Sequence, residues 1–524
     1  MVSGSLAFGL RAERYAAAAI SDTKDQRPKT KSQELTTYKM KNAEASSMLR
    51  KLLVGLTLLL LAGASSLIAQ KGSDKMKSNN QQKPASTNGE VKLITLDPGH
   101  FHAALVQKTM YPQVSPAVSV YAPPGNDLDQ HLKRIESYNS RPENPTHWEE
   151  KVYAGSDFLE RMLVEKPGNV VVISGNNRAK MEYIDASLRA GLSVFADKPM
   201  CVDTAGFEKL KQAFKTAEKN GVLLYDIMTE RYEITTILQK ALVNDAAVFG
   251  QLQKGSADNP AVVKESVHYL FKYVSGKPLQ RPAWFFDVAQ QGEGIVDITT
   301  HLVDLVQWES FPEQLLTPGD VEMLRAKHWP TVITRGQFKT ITGLPDFPDY
   351  LRAKLNNDGA LPYYSNGEMS YKLKGVNARI SVIWNFEAPA SAGDSHFSLM
   401  RGTKANVIIR QGKEENYRPE LFVEATGSAT AATLEAALKN RLQALENQYP
   451  GLELKNDGNQ WHILIPAEYR KDHEAHFGEV LENFLQYLRA GKLPVWEVPN
   501  MITKYYTTTK ALEFATRGSS SAER

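Results

Sequence analysis

The feature that most constrains the fold is an alternation of short apolar runs with amphipathic segments, which begins near Glu90. The apolar runs are rich in Val, Ile and Leu, as in VKLITL, NVVVISG and LSVFADKP. Segments with helical spacing, such as KMEYIDASLRAG, lie between them. Strands that are apolar along their whole length are buried on both faces of a sheet. The pattern therefore predicts an α/β fold, a doubly wound parallel sheet with helices on both sides.

The length of the chain, 524 residues, exceeds what one compact core holds and indicates two globular domains. We expect the α/β domain over residues 90–228 and a second domain over residues 229–524. The single cysteine, Cys201, excludes an intrachain disulfide and a metal cluster held by cysteines. A net charge of +3 gives no support for a nucleic acid as partner.

The first 89 residues have the composition of a targeting segment. They hold 14 Lys and Arg residues but only 6 Asp and Glu residues. A basic start at Met48 precedes an apolar run from Leu52 to Gly63 and then small residues, which is the layout of a secretory signal peptide. We expect a non-native leader over 1–47, a signal peptide over 48–69 and a flexible linker over 70–89. The protein would then be exported, to the periplasm, without stable membrane insertion; the alternative is an uncleaved N-terminal anchor.

The turn after the first strand is a candidate phosphate-binding turn. A dinucleotide fingerprint has three glycines at this point, and only Gly99 is present in a plausible register. His100 and His102 could donate hydrogen bonds to phosphate oxygens. The alternative is a tight turn that binds no nucleotide. The second strand, VSVYA, is not followed by the usual acidic residue that accepts the ribose hydroxyls, so the pattern leaves NAD and NADP open.

Three residues, Lys198, Asp297 and His301, are the candidate catalytic group. Lys198 follows a strand and precedes a proline that fixes the backbone beside it. Asp297 and His301 are four residues apart at the start of a helical pattern, so we expect the carboxylate to orient the imidazole for acid–base catalysis. The alternatives are a solvated lysine, a capping aspartate and a core histidine. We predict no metal site here, because no third ligand has matching helical spacing, although Asp304 lies three residues further on.

Together these motifs resemble the glucose–fructose oxidoreductase/inositol dehydrogenase (Gfo/Idh/MocA) family, in an exported subgroup with an extended C-terminal domain. The resemblance rests on the order of the strand–turn–helix at Gly99, AGLSVFADKP, YDIMTERYEI and QGEGIVDITTHLVDLVQW. It places Lys198, Asp297 and His301 on the catalytic residues of the family. The chain departs from the family pattern at three positions, which are Asp197 for glutamate, His102 or Ala103 for the last fingerprint glycine, and Lys180 for histidine.

The resemblance implies a Rossmann-like dinucleotide-binding domain followed by an α+β domain with a large open, mostly antiparallel sheet. It also implies a homo-oligomer. An amphipathic helix over 431–449 lies outside the common layout, and the polar excursion over 126–153 is long for a linker. The cofactor-binding candidates are Gly99, His100, Phe101, His102, Ser174, Gly175, Asn176, Asp197, Lys198 and Pro199. The substrate-binding candidates are Arg231, Tyr232, Trp284 and Thr300.

Three functions follow from these expectations. The first is a nicotinamide-dependent oxidoreductase that uses NAD or NADP to oxidise a secondary hydroxyl of a sugar. The second is a redox-neutral enzyme that processes glycosides or interconverts sugars and keeps its cofactor tightly bound, because an exported enzyme has no nicotinamide pool. The third is an exported sugar-binding protein without catalysis. In each case the partner is a small sugar or glycoside.

Overall fold

The computed structural model of the protein describes residues 90–274, 277–389, 392–427, 430–458 and 460–522. The leader, signal peptide and linker expected over 1–47, 48–69 and 70–89 lie outside the described residues. Within the described part of the chain, none of the helices is long and apolar enough to cross a membrane.

The first part of the chain forms the predicted parallel sheet. Six strands pair in the order β3-β2-β1-β4-β5-β6, and every pair is parallel. The carboxyl ends of β1, β4 and β5 therefore meet at one edge. The strands are β1 (Leu93–Leu96), β2 (Ala117–Ala122), β3 (Glu149–Ala154), β4 (Val170–Ile173), β5 (Ser193–Asp197) and β6 (Leu224–Ile227).

The helices between these strands include one that the sequence analysis treated as part of a linker. The polar excursion over 126–153 consists of a helix and the edge strand β3 rather than a loop. It escaped prediction because β3 is polar and largely exposed, as an edge strand with one paired side allows. The helices are α1 (His102–Leu105), α2 (Asn126–Ser140), α3 (Phe158–Glu165), α4 (Asn177–Arg189) and α5 (Thr204–Asn220).

The second part of the chain builds a nine-stranded sheet that is antiparallel except for one pair. Its order is β10-β11-β12-β7-β13-β14-β15-β17-β16, and β12 and β7 are the parallel pair. This is the open, mostly antiparallel sheet that the resemblance implied. The strands are β7 (Val262–Phe271), β10 (Val321–Ile333), β11 (Leu361–Leu373), β12 (Val376–Glu387), β13 (Ser395–Arg401), β14 (Ala405–Gln411), β15 (Glu420–Ala425), β16 (Glu453–Asn456) and β17 (Gln460–Leu464).

Eight further helices accompany this sheet among the described residues, and a small hairpin is formed by β8 (Tyr273–Val274) and β9 (Lys277–Pro278). The helix expected over 431–449 is present and ends slightly earlier. The helices are α6 (Ile234–Val243), α7 (Val288–Gln291), α8 (Thr299–Ser310), α9 (Arg335–Thr342), α10 (Asp349–Arg352), α11 (Ala431–Leu445), α12 (His473–Ala490) and α13 (Glu497–Ala522).

The last two helices return to the first sheet, although the sequence analysis placed all of 229–524 in the second domain. Phe484 of α12 stacks on Phe195 of β5 with ring centroids 5.0 Å apart. Tyr505 of α13 lies in the core of the first sheet, whereas Ala511 of the same helix lies in the core of the second. The helix α13 therefore joins both cores and fixes the cleft between them.

Candidate active site

A cleft of about 880 Å³ lies between the carboxyl edge of the parallel sheet and one face of the nine-stranded sheet. Lys198, Asp297 and His301, the three predicted catalytic residues, all line it. They come from both parts of the chain, since Lys198 follows β5 of the parallel sheet whereas His301 is on α8 of the second part. Such a crevice at strand ends is where open α/β sheets bind their ligands.

Lys198 and Asp297 form a buried ion pair. The ammonium group of Lys198 donates to Asp297 Oδ1 over 2.6 Å, and the two side chains are 7% and 8% exposed. Gln291 Nε2 donates to the second oxygen of Asp297 over 3.0 Å. Both carboxylate oxygens are thus occupied, and the cation of Lys198 is held at one point in the cleft.

Lys180, which takes the place of the histidine of the family pattern, stabilises the turn that carries Lys198. Its buried ammonium donates to the carbonyl oxygens of Asp197 and Pro199, over 2.8 and 3.1 Å. Burial lowers the pKa of Lys180 to about 8, against a usual value of 10.5. These two carbonyl groups flank Lys198, so the departure from the family pattern fixes the backbone that carries the candidate catalytic lysine.

His301 is buried in the cleft and its Nδ1 has no hydrogen-bond partner among the described residues. Burial lowers the pKa of His301 well below its usual value of 6.5, and the positive charge of Lys198 lowers it further. The imidazole is therefore neutral at neutral pH and can accept a proton.

The expectation that Asp297 orients His301 is wrong. The carboxylate contacts Lys198 and Gln291 instead, because Asp297 lies in the turn before α8 and not on the helix face. Four-residue spacing aligns side chains only when both residues are helical. The aspartate is therefore the counter-ion of the lysine.

The turn after β1 packs closely against the second part of the chain. A Cβ atom added at Gly99 would lie 3.1 Å from both the Asp127 carboxylate and the Trp284 ring. At Gly175, which follows β4, it would lie 2.2 Å from the carbonyl oxygen of Asp97. Phe101 and His100 line the cleft and also a smaller cavity beside Gly99. Gly175 is therefore needed for this close approach of the strand ends, whereas a Cβ atom at Gly99 would only require the neighbouring side chains to shift slightly.

Asp197 is the centre of a buried polar cluster. Its Oδ2 accepts from Ser174 Oγ over 2.9 Å and lies 2.9 Å from His102 Nδ1. Burial disfavours the charge, but His102 and His100 outweigh it and lower the pKa of Asp197 well below its usual value. The other oxygen, Oδ1, is buried without a hydrogen-bond partner among the described residues.

Asn176 and Cys201 have structural roles. Asn176 caps α4 through its side-chain oxygen and donates to Gln290 Oε1 over 2.7 Å, which ties the two parts of the chain together. Burial raises the pKa of the Cys201 thiol, which therefore stays protonated and packs in the first core.

Arg231, a predicted substrate contact, is instead part of a buried ion network. Its guanidinium donates to both oxygens of Asp304 over 2.6 and 2.8 Å, and to Glu497 Oε1 over 2.9 Å. Lys504 reaches Asp304 and Asp226 over 2.8 and 2.7 Å. All these side chains are at most 9% exposed, so Arg231 holds α8 against α13, and it is not among the described residues that line the cleft.

The other three substrate candidates are also displaced from the cleft. Thr300 is fully buried and donates to the Val296 carbonyl over 2.8 Å, while Tyr232 packs against the first core. The indole nitrogen of Trp284 donates to Asp127 Oδ2 over 2.8 Å beside Gly99. Thr300, Tyr232 and Trp284 are not among the described residues that line the cleft, because each satisfies its polar atom or its apolar surface within the protein.

The residues that cover the second wall of the cleft were not among those predicted from the sequence. These side chains come from the nine-stranded sheet, from the segments that lie next to its strands in the chain and from the start of α12, and no local motif marks them. Side chains alternate between the two faces of a sheet along β7 and β12, so these residues could be identified only once the order of the strands is known. They include Ser266, His268, Arg281, Trp384, Asp394, His396, Gln411 and His473.

A nicotinamide dinucleotide fits the residues of this cleft. Two buried atoms that line it, His301 Nδ1 and Asp197 Oδ1, have no partner among the described residues. The helix α1 is only four residues long, so phosphate binding would fall to side chains rather than to its N-terminus. Arg134 and Arg281 line the cavity beside Gly99 and carry suitable charge.

Two family models match the chain. Residues 238–516 match the family described as "Putative oxidoreductase C terminal domain". Residues 118–226 match the family described as "Oxidoreductase family, NAD-binding Rossmann fold". No curated protein matches the sequence.

Solved structures share the fold. The crystal structure of a "putative oxidoreductase" from Parabacteroides merdae ATCC 43184 is 55% identical, covers 83% of this chain and 100% of its own, and has a TM-score of 0.81. A levoglucosan dehydrogenase in complex with NADH and levoglucosan is 11% identical over 82% of this chain and 97% of its own, with a TM-score of 0.53. A 3-ketoreductase from Actinomadura kijaniata in complex with NADP is 13% identical, covers 81% of this chain and 98% of its own, and has a TM-score of 0.50. At these lower identities the likeness concerns the fold alone.

Proposed function

This chain belongs to the Gfo/Idh/MocA family of oxidoreductases, as its sequence resemblance predicted, and we propose that it oxidises or reduces a secondary hydroxyl or ketone carbon of a sugar. The NAD-binding Rossmann fold of that family confirms the nicotinamide class of cofactor expected from the sequence. The observation that carries the proposal is the buried Lys198–Asp297 ion pair beside a neutral His301 in one cleft.

The three side chains divide the work of hydroxyl oxidation. The neutral imidazole of His301 accepts the hydroxyl proton. The ammonium group of Lys198 donates a hydrogen bond to the oxygen and stabilises the negative charge that develops on it. Asp297 and Gln291 are positioning residues. Asp297 Oδ1 accepts a hydrogen bond from Lys198 Nζ over 2.6 Å, and Gln291 Nε2 donates to Asp297 Oδ2 over 3.0 Å. A bound nicotinamide supplies the hydride chemistry, which no protein side chain provides.

The residues that would hold the dinucleotide lie at the strand ends. The close turns at Gly99 and Gly175 would pass beneath it, and Arg134 and Arg281 would pair with its phosphates. Asp197 Oδ1, which is buried without a partner among the described residues, can accept a hydroxyl group of a ribose. Burial lowers the pKa of Arg281 to about 10, so its guanidinium is still charged at neutral pH.

The second wall of the cleft supports a sugar as substrate. His268 lies beside Trp384 with ring centroids 4.9 Å apart, and aromatic rings of this kind pack against the apolar face of a pyranose. Asp394 Oδ2 lies 3.1 Å from His268 Nδ1 and accepts from Lys272 over 2.9 Å. Its other oxygen is buried without a partner among the described residues and can accept a sugar hydroxyl.

A direct assay tests the proposal. Purified protein is incubated with NAD or NADP and a panel of aldoses, polyols and glycosides, and reduced nucleotide is followed by its absorbance. We expect turnover with at least one sugar and its loss in Lys198→Met. The control is Lys211→Met, which removes an equal charge from a half-buried position on α5 outside the cleft. Turnover that Lys198→Met leaves unchanged would contradict the proposal.

A further inference from the structure

We propose that His100, His102 and Asp197 form a binding site for one divalent transition-metal ion at the floor of the cleft. Each of the three offers one ligand atom, and these atoms all lie within 4.8 Å of one another. The proposal rests on the geometry of this cluster and not on the hydride chemistry proposed above, although both use the Asp197 carboxylate.

The spacing of the ligand atoms is close to that of a metal site. His102 Nδ1 and His100 Nδ1 lie 2.9 and 3.4 Å from Asp197 Oδ2. Ligands at about 2.0–2.1 Å from a tetrahedral zinc ion are about 3.3 Å apart. The two imidazole rings are nearly perpendicular, at 83° with centroids 3.9 Å apart, so both can face one ion without stacking. Small side-chain shifts would complete the site.

The hydrogen bonds of the cluster leave one of the three ligand atoms without a partner. His100 Nδ1 is buried and has no hydrogen-bond partner among the described residues. Such atoms are costly unless something binds them. Ser174 Oγ donates to Asp197 Oδ2 over 2.9 Å and would orient the carboxylate as an outer-shell contact.

The two lysines nearest to Asp197 in the turn have other partners. Lys198 follows Asp197 directly, but its ammonium group is paired with Asp297 at 2.6 Å. Lys180 binds carbonyl oxygens of the same turn rather than the Asp197 carboxylate. The carboxylate charge of Asp197 therefore remains available to a cation.

The ligand set indicates the class of metal and its use. Two imidazoles and one carboxylate are typical of catalytic zinc and of non-haem iron(II), and three protein ligands leave a position open. Because His100, His102 and Asp197 all line the cleft, that open position faces the space where substrate would bind. The ion would polarise a substrate oxygen as a Lewis acid.

Metal binding is measured on the full chain without any substrate. The protein is stripped with a chelator, titrated with Co²⁺ and then with Zn²⁺, and followed by visible absorbance and by metal analysis after gel filtration. We expect one ion per chain, and binding weakened at least about 100-fold in His100→Gln and in His102→Gln. His147→Gln, an exposed histidine, is the matched control and should bind as the wild type does.

Two outcomes would overturn the proposal. One is a stripped wild-type protein that binds no Co²⁺ or Zn²⁺ at micromolar concentration, in which case His102 and Asp197 form a metal-free hydrogen-bonded pair. The other is stoichiometric binding that both histidine variants retain. Circular dichroism of each variant verifies folding, and the two variants test the cluster separately. Nucleotide binding by the stripped protein is measured in parallel, so a failure here is distinct from a failure of the proposed hydride transfer.

Discussion

At the scale of single residues, the chemistry of the site depends on which side chain is the ion-pair partner of Asp297. Asp297 neutralises Lys198 across 2.6 Å, and His301 is left without a charged partner among the described residues. A buried imidazole without a carboxylate stays neutral, whereas a buried ammonium needs its counter-ion. The lysine is thus the fixed cation of the cleft, and the neutral histidine is the residue that we propose as the proton acceptor.

The Lys198–Asp297 pair gives the first prediction. Asp297→Asn removes the counter-ion of a buried ammonium, so we expect turnover to fall about 10²- to 10⁴-fold, the usual size of an acid–base or electrostatic contribution. The measurement is steady-state kinetics alongside a nucleotide titration, in which the dissociation constant should change little. Asp185→Asn, which breaks an exposed ion pair on α4, is the control. Equal turnover in Asp297→Asn and the control would contradict the role of the pair.

The second prediction concerns the pKa of His301. Burial, and then the charge of Lys198, hold this pKa well below 6.5, so the wild-type imidazole should remain neutral as pH falls through 6.5. Lys198→Gln removes one lowering influence and should raise the pKa of His301. Titration of ¹³C-labelled histidine by NMR, with His301→Gln to assign the signal, measures both values without turnover. A His301 signal that titrates at 6.5 or above in the wild type would contradict the account.

The residue types of the site could be predicted from sequence, but their partners could not. Lys198, Asp297 and His301 all line the cleft as expected. The wrong pairing of Asp297 with His301 arose because four-residue spacing was taken as helical, and α8 begins only at Thr299. Arg231 was misassigned for a related reason. Its acidic partners, Asp304 and Glu497, are 73 and 266 residues away in sequence.

At the scale of elements, α8 is the helix whose position decides the site. It carries His301 towards the cleft and Asp304 towards Arg231 and Lys504. The Lys264–Glu309 pair, which is fully buried, fixes its C-terminal end to β7. The orientation of His301 is thus set by buried ion pairs on other faces of the same helix.

This arrangement gives the third prediction. Arg231→Met leaves Asp304 and Glu497 with an uncompensated buried charge, so we expect a loss of about 3–5 kcal/mol in the free energy of unfolding. Urea unfolding measures it, and the folded fraction should bind nucleotide as the wild type does. Arg161→Met, which breaks an exposed pair on α3, should change stability by less than about 1 kcal/mol. A stable Arg231→Met with impaired sugar binding would restore Arg231 as a substrate contact.

Elements with a strong apolar period were predictable, and those with a polar surface were not. The buried strands β1, β4 and β5 match the apolar runs VKLITL, NVVVISG and LSVFADKP, and the helix expected over 431–449 is present as α11. The edge strand β3 was missed because it lies at a border of its sheet, where one side is not paired, and is polar and largely exposed.

At the scale of the whole molecule, the cleft exists because the chain returns to its first sheet. The helix α13 contributes Tyr505 to one core and Ala511 to the other, which no local sequence pattern indicates. The helix α13 therefore packs in the cores of both parts of the chain, and we expect a change in its packing to alter the separation of the two walls of the cleft.

The fourth prediction concerns export, which the residues from Met48 to Ser66 suggest. We propose that the chain is cleaved after Ala64, Ser66 or Ala69 and released from the inner membrane. N-terminal sequencing of the protein from a periplasmic fraction measures this. Replacing Leu58 and Leu59 with Arg breaks the apolar run and should leave full-length protein in the cytoplasm, whereas the same change at Asn79 and Asn80 in the linker should not. Full-length protein in the membrane fraction would support the anchor instead.

The central claim is that the cleft holds a nicotinamide dinucleotide for hydride transfer, and nucleotide binding tests it most directly. Purified protein is denatured and the released nucleotide identified by mass spectrometry, and stripped protein is titrated with NADH and NADPH by fluorescence. The account predicts one dinucleotide per chain, either copurified or bound on titration. It also predicts weaker binding in Arg134→Gln, which lines the cavity beside Gly99, than in Lys133→Gln, its exposed neighbour on α2. Protein that releases no nucleotide and binds neither NADH nor NADPH at millimolar concentration would contradict the account.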